Sequence, residues 1–186
     1  MKQLITIAIL FISINVFGQQ FDGVNISGDL PTAISKYKAK GYTFEKFIDN
    51  GAILKGKIAQ TPIELFIFVT PKTKKVYKVV GYLDEDISWV SLKSTYNRFH
   101  DIITTKYGTP DGNYEDFITP YYEGDGYEMS AVGLEKVNYS AYWLNKLGLN
   151  IGVEISKFKQ VKITYENYEL MKIKREEQSQ IESNSF

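Results

Sequence analysis

The sequence predicts an α+β protein in which a mostly antiparallel sheet carries two helices packed on one face. Two segments show the apolar spacing of an amphipathic helix. The chain also contains two groups of four short strand-like segments, and turn signals separate the segments within each group. Each helical segment precedes one strand group. Strands joined by short turns pair antiparallel, and helices then cover the apolar face of the sheet. This order predicts two helix-plus-four-strand pseudo-repeats, at about residues 28–83 and 86–166, within a single domain of residues 19–166.

The first helix is predicted to begin at Asp29 and to run to about Lys40. Asp29 can cap the helix, and Pro31 suits its first turn because proline has no N–H to lose there. Gly41 is expected to end the helix, since glycine accepts the left-handed backbone found after many helices.

The first strand group follows this helix. Asn50-Gly51 indicates a hairpin, and a second turn is expected at residues 60–62. Residues 63–69 (IELFIFV) are nearly all apolar, which favours a central strand buried on both faces. The predicted strands are residues 42–48, 52–59, 63–69 and 75–83.

The second helix is predicted at residues 88–107. Its apolar residues recur at steps of three and four, which is typical of an amphipathic helix; they are Trp89, Leu92, Tyr96, Phe99, Ile103 and Tyr107. The strands predicted after it are residues 113–118, 137–145, 147–156 and 160–165. A long loop rich in Gly, Tyr and acidic residues is expected at 119–135, and residues 167–186 form a polar tail for which helix and disorder are both open.

Residues 1–18 are predicted to be a secretory signal peptide. Lys2 precedes an apolar run at residues 4–17, which is too short to span a bilayer, and Gly18 supplies a small residue at the end. A buried N-terminal strand or helix is the alternative. The mature protein is therefore expected to be periplasmic or secreted, and not membrane-spanning once the signal is removed.

The composition excludes several functional classes. The chain has no Cys and one His, so disulfides, thiolate zinc sites, Cys nucleophiles and two-His metal centres are excluded. Its 22 basic and 22 acidic residues balance, which gives no reason to expect a nucleic-acid partner. Phosphate loops and dinucleotide motifs are absent, so no cofactor or metal is predicted.

His100, followed by Asp101, is the one candidate for a hydrolytic triad. No G-x-S-x-G motif accompanies it. Adjacent residues on a helix point about 100° apart, so Asp101 is not expected to orient His100. A surface or boundary histidine is therefore the preferred interpretation.

Acidic residues around the long loop offer a second catalytic alternative. Two carboxyl groups could serve a glycosidase if one of them lay in an apolar pocket; the candidates are Glu115, Asp116, Glu123, Asp125 and Glu128. Residues 111–115 also alternate oxygen ligands like a calcium loop, but they lack its glycine and its final glutamate. A solvated loop and a plain turn are the preferred interpretations.

The aromatic content, 15% of residues, is the unusual feature of the composition. Tyrosine presents a flat apolar ring with a polar tip, which suits contact surfaces. The candidate binding residues are Tyr121, Tyr122 and Tyr127 in the long loop, with Trp143 on the next strand as a possible neighbour. The alternative is that most of these rings fill the core.

Several short segments of the chain carry a resemblance; they are residues 17–28 (FGQQFDGVNISG), Lys40-Gly41, residues 89–92 (WVSL), residues 106–110 (KYGTP) and residues 163–165 (ITY). Together they resemble a group of small, uncharacterised exported proteins of Bacteroidota-type bacteria. The group implies export but no activity. The doubled helix-plus-four-strand order is also similar to the architecture of β-lactamase-inhibitor-like proteins, which bind other proteins.

These observations favour a non-catalytic extracytoplasmic binding or interaction protein. Its partner is expected to be an envelope or secreted protein or a glycan. A carboxylate-dependent hydrolase acting on envelope or dietary polymers and a scaffold component of the envelope are the alternatives.

Overall fold

A computed structural model describes residues 19–184, so the predicted signal peptide lies outside the described residues. The strands are β1 (Gln20–Phe21), β2 (Val24–Asn25), β3 (Thr43–Ile48), β4 (Gly51–Ile58), β5 (Thr61–Val69), β6 (Val76–Leu83), β7 (Gly112–Phe117), β8 (Val137–Lys146), β9 (Leu149–Ile155) and β10 (Val161–Asn167). The helices are α1 (Leu30–Ala39), α2 (Trp89–Tyr107), α3 (Glu128–Gly133) and α4 (Tyr168–Ser183).

One eight-stranded sheet organises the protein, and its strand pairs are antiparallel. The strand order is β3-β4-β5-β6-β10-β9-β8-β7, while β1 and β2 form a separate two-stranded ribbon. Two runs of sequential hairpins, β3 to β6 and β7 to β10, therefore meet where β6 pairs with β10. Tyr165 lies opposite Val79 at that junction, and Ile163 lies opposite Gly81. The α+β class and the antiparallel sheet are confirmed.

The two faces of the sheet differ in exposure, as β5 illustrates. Ile63, Leu65 and Ile67 are almost wholly buried, whereas Phe66 and Phe68, which alternate with them, are half-buried. We call these the buried face and the open face. The prediction that residues 63–69 are buried on both faces was wrong, because nothing among the described residues covers Phe66 and Phe68 to the depth that Leu65 is covered.

Helix α2 packs on the buried face through aromatic side chains. The ring centroids of Tyr96 and Tyr139 are 5.6 Å apart, and those of Tyr107 and Tyr165 are 6.1 Å apart. The predicted apolar spacing is confirmed, since Trp89 and the four residues at steps of three and four up to Ile103 are buried. The Ser88 hydroxyl accepts a bond from the Ser91 amide and begins the helix.

Helix α1 begins as its sequence predicts. The Asp29 carboxylate accepts a bond from the Thr32 amide at 2.9 Å, and these bonds hold the pKa of Asp29 below its ordinary value. The helix adds Ala33 and Tyr37 to the hydrophobic core, and the Tyr37 hydroxyl donates to the Phe21 carbonyl. Gly41, at φ +91°, ends it in the left-handed region.

Two connections differ from the prediction, and the polar tail adopts the helical one of its two open alternatives. The β4–β5 turn lies at Ala59 and Gln60, both at positive φ, while Pro62 lies inside β5 opposite Lys57. The long loop contains the short helix α3. Helix α4 accounts for most of the polar tail, where Glu177 accepts bonds from the Lys72 and Thr73 amides and ties the helix to the β5–β6 turn.

Membrane-spanning helices were sought within residues 19–184. No helix in that part of the chain combines the length and the apolar composition that a bilayer crossing needs.

The difference between the two faces can be tested on adjacent residues of β5. We expect Leu65→Ala to destabilise the protein by about 2–5 kcal/mol, because it leaves a cavity in the core. Phe66→Ala should cost about 1 kcal/mol, since its ring is already half-exposed. Urea unfolding of both variants measures the two values, and equal losses would show that both faces are covered alike.

Candidate binding site

The open face carries a shallow groove that crosses the middle of the sheet. Two depressions, of about 480 and 290 Å³, adjoin there because both are lined by Lys78 and Lys162. The larger depression has an aromatic wall formed by Phe66, Phe68 and Tyr82. We call the two depressions together the open-face groove.

The strand register builds the floor of the groove from three rows of side chains that cross β6, β10 and β9. The first row runs Tyr82, Lys162, Glu154; the second runs Val80, Thr164, Gly152; the third runs Lys78, Glu166, Asn150. Phe66 extends the second row on β5, and Tyr142 extends it on β8. The centre is therefore lined by small residues, while rings stand at both ends.

Two ion pairs flank the centre of the floor. Lys162 Nζ lies 2.6 Å from Glu154 Oε1, and Lys78 Nζ lies 2.7 Å from Glu166 Oε1. All four side chains are partly buried, which reduces solvent screening of the pairs. Burial is the largest single influence on the pKa of Lys162 and lowers it, but the hydrogen bond and charge of Glu154, together with the nearby Tyr82 and Tyr142, outweigh burial and raise the pKa. Four of the charged groups in the groove thus compensate each other in pairs, and Glu64 adds a further carboxylate to the lining of the larger depression.

Gly152 keeps the centre of the groove open. Its φ is not in the left-handed region, and a Cβ built there would first meet the Tyr142 ring at 3.4 Å. Glycine weakens a strand interior by roughly 0.5–1 kcal/mol relative to alanine. Neither the backbone conformation nor close packing in the described part of the chain requires a glycine at position 152. A larger side chain at this position would occupy space in the groove.

The tyrosines predicted as binding residues lie together outside the groove. Tyr121, Tyr122 and Tyr127 line a separate depression of about 440 Å³. Tyr122 and Tyr127 are 64% and 65% exposed, and Tyr121 is half-buried. The loop that carries these three residues, which we call the tyrosine loop, therefore presents rings to solvent.

Trp143 does not lie with these tyrosines. It is fully buried on the buried face, where its indole N–H donates to the Gly108 carbonyl at 2.7 Å. The His100 ring packs 5.7 Å from it. Because side chains alternate along β8, Trp143 faces the core and Tyr142 faces solvent. The sequence analysis named Trp143, the buried one of the two, as a possible binding residue.

Glu123 fixes the tyrosine loop to the body of the protein. Its carboxylate lies 2.7 Å from Lys93 Nζ, 3.1 Å from the Trp89 indole nitrogen and 3.3 Å from the Tyr139 hydroxyl, and all three groups can donate. The bond from Lys93, followed by that from Trp89, holds the pKa of Glu123 below its ordinary value. A general acid needs a raised pKa, so Glu123 is unsuited to that role at neutral pH.

Two other loop acids bond to backbone amides. Asp125 accepts from the amides of Tyr122 and Tyr127, and Glu128 accepts from the amide of Gly124. These bonds shape the loop around its tyrosines, and they occupy the carboxylates that the hydrolase alternative would use.

Glu115 and Asp116, the other two acidic candidates, are exposed on β7.

The calcium-loop candidate Asp111 and the single histidine have structural partners. Asp111 accepts from the Leu144 amide at 2.7 Å and pairs with Lys146, and these contacts lower its pKa. His100 Nδ1 lies 3.2 Å from Asp101 Oδ1, a contact that the helical spacing of adjacent residues did not predict. Within residues 19–184, no three acidic or histidine side chains group closely enough to hold a metal ion.

Comparison with known proteins finds no matching family model, no match among curated proteins and none among solved structures.

The residues of the open-face groove were missed by sequence reasoning. The alternation of Lys162, Thr164 and Glu166 with apolar residues was a visible signal that these side chains share one face. The partner strand β6 lies about 80 residues away in the sequence, however, and local patterns carry no information about that pairing.

The role of Glu123 can be tested by pH and by substitution. Because its pKa is lowered on folding, its ionised form stabilises the loop above the ordinary value of 4.5, and this contribution is lost as the pH falls through the folded pKa. We expect the indole N–H resonance of Trp89 to shift in that acidic range. In Glu123→Gln the shift should be absent, and amides 118–127 should exchange faster with solvent.

The Trp143 indole serves as an internal control, because its partner is a carbonyl that does not titrate in this range. A Trp89 resonance that titrates equally in Glu123→Gln would contradict the assignment.

Proposed function

We propose that the protein is a non-catalytic, extracytoplasmic binding protein that holds its ligand in the open-face groove. Export is inferred from the sequence of residues 1–18. The observation that carries the proposal is the groove itself, in which rings and charge-compensated polar groups line a depression on a sheet face. A face with no binding role has no need of half-exposed aromatic side chains, which a solvated antiparallel sheet usually replaces with polar ones.

We also propose that the chain comprises two structural repeats, α1 with β3 to β6 and α2 with β7 to β10, and that α1 and α2 cover the same face. The element order supports this, with α3 inserted between β7 and β8 of the second unit. Apolar residues of both helices belong to one hydrophobic core. Such an arrangement leaves the open face available to a ligand.

Binding is favoured over hydrolysis by the engagement of the acidic residues. Glu123, Asp125 and Glu128 each bond to groups of their own chain. In the groove, Glu154 and Glu166 are paired with lysines at hydrogen-bond distance. A glycosidase needs one of its two carboxyl groups held protonated in an apolar setting, and an adjacent ammonium group opposes protonation.

The tyrosine loop is the second candidate surface, because Tyr122 and Tyr127 are exposed on a loop that Glu123 holds in place. Both surfaces belong to the same functional class. Variants that alter one surface at a time therefore distinguish them.

Affinity capture from the native envelope tests the proposed function. We expect the protein to retain a component, identified by mass spectrometry, and Phe66→Ala with Tyr82→Ala to abolish its retention. The matched control is Tyr114→Ala, because Tyr114 is an exposed ring on edge strand β7, outside the residues that line the groove.

A parallel triple variant, Tyr121→Ala, Tyr122→Ala and Tyr127→Ala, should retain the component. If only the triple variant fails to retain the component, the binding site is the tyrosine loop and not the open-face groove. Assembly of the protein into a large envelope complex, unaffected by either set, would support the scaffold alternative.

A further inference from the structure

The open-face groove is long enough to hold an extended ligand. Its rows run from β5 across β6, β10 and β9 to β8, and neighbouring strands lie about 4.8 Å apart, so the groove spans roughly 19 Å across the sheet. Together its two depressions offer about 480 and 290 Å³. A single small metabolite would fill only part of this length, whereas a short chain of repeated units would fill it.

The charges of the groove select most strongly against an anionic ligand. Lys78 and Lys162 each lie beside a glutamate at hydrogen-bond distance, and Glu64 adds a further carboxylate to the lining. An anion drawn to either ammonium group would meet the carboxylate next to it, and a cation would meet the ammonium group. An acyl chain would bury both ion pairs without supplying hydrogen bonds, which is costly.

The hydrogen-bonding groups suit hydroxyl groups. An ammonium group has three donors and a carboxylate has several lone pairs, so each ion pair retains both kinds of bonding capacity. The Thr164 hydroxyl lies between the two pairs, and the Asn150 amide lies beside Glu166 in the third row. The floor therefore offers both donors and acceptors, and a hydroxyl group, which donates and accepts, can bond to either.

The aromatic wall suits a ligand that also has apolar faces. The Phe66 ring lies 5.6 Å from the Tyr82 ring in an edge-on arrangement and 6.4 Å from the Phe68 ring, centre to centre. These rings stand at the same end of the groove as Val80. The C–H groups of a pyranose ring can pack against such a wall while its hydroxyl groups reach the polar floor.

We propose that the open-face groove binds an uncharged oligosaccharide chain. This inference rests on the proposed function and specifies its ligand. Phe66 and Tyr82 contact the apolar faces of the sugar units, the two lysine–glutamate pairs bond to their hydroxyl groups, and Gly152 leaves room for the chain at the centre of the sheet.

The test uses ¹⁵N-labelled protein expressed from its full sequence. Neutral hexasaccharides of glucose, xylose and mannose are added, with a galacturonic acid hexasaccharide as the charged comparison. We expect at least one neutral chain to shift the amide resonances of residues 64–68, 78–82, 150–154 and 162–166. The charged chain should bind at least about tenfold more weakly than that neutral chain.

Gly152→Thr is the decisive variant. Threonine favours strands, and a Cβ at this position would meet the Tyr142 ring at 3.4 Å and the Ala141 carbonyl oxygen at 3.9 Å, so the melting temperature should not fall while the rest of the side chain enters the groove. We expect it to weaken sugar binding at least about tenfold. Tyr82→Ala provides a second variant should Gly152→Thr not fold, and Tyr114→Ala should bind like the natural protein.

Each outcome of these experiments either supports or overturns the inference. Absence of shifts with every neutral chain, equal or tighter binding of the charged chain, or full binding by both groove variants would overturn it. If sugars cause no shifts but the envelope capture recovers a protein that Gly152→Thr no longer retains, the proposed function stands and its ligand is a protein. If neither sugar binding nor capture is observed, both proposals fail.

Discussion

The pairing of β6 with β10 is the interaction on which the rest of the structure depends. It joins two runs of hairpins into one sheet, and apolar residues of both runs belong to one hydrophobic core. An isolated four-stranded half would expose apolar surface at this edge. The same junction also carries the functional proposal, because Tyr82 faces Lys162 and Lys78 faces Glu166 across it.

Aromatic residues serve different purposes on the two faces of the sheet. On the buried face, Trp89, Tyr96 and Tyr139 pack edge to face at 5.0–5.6 Å, which fills the space between α2 and the strands without a disulfide. On the open face, Phe66 and Tyr82 pack against each other and remain half-exposed. The high aromatic content therefore divides between rings that fill the core and rings that remain partly exposed on the open face.

Acidic residues act in this protein mainly as bonding partners within the chain. The Glu123 carboxylate accepts hydrogen bonds from Trp89, Lys93 and Tyr139. Glu177 connects α4 by a hydrogen bond to a turn more than 100 residues away in the sequence. Since a carboxylate that accepts several bonds stays ionised, these side chains stabilise loops and helix ends at neutral pH. The same property makes them poor proton donors, which agrees with a binding role.

Local sequence was enough to predict the helices α1 and α2, the Asp29 cap and most strand boundaries, because apolar periodicity, a capping side chain and the glycines act over a few residues. Which face of each strand is covered, and which distant strands are neighbours, became visible only in the folded chain. Those depend on the strand register and on contacts between segments about 80 residues apart, where local propensity carries no information. For that reason the outward Tyr142 and the groove residues escaped prediction, while the inward Trp143 was selected.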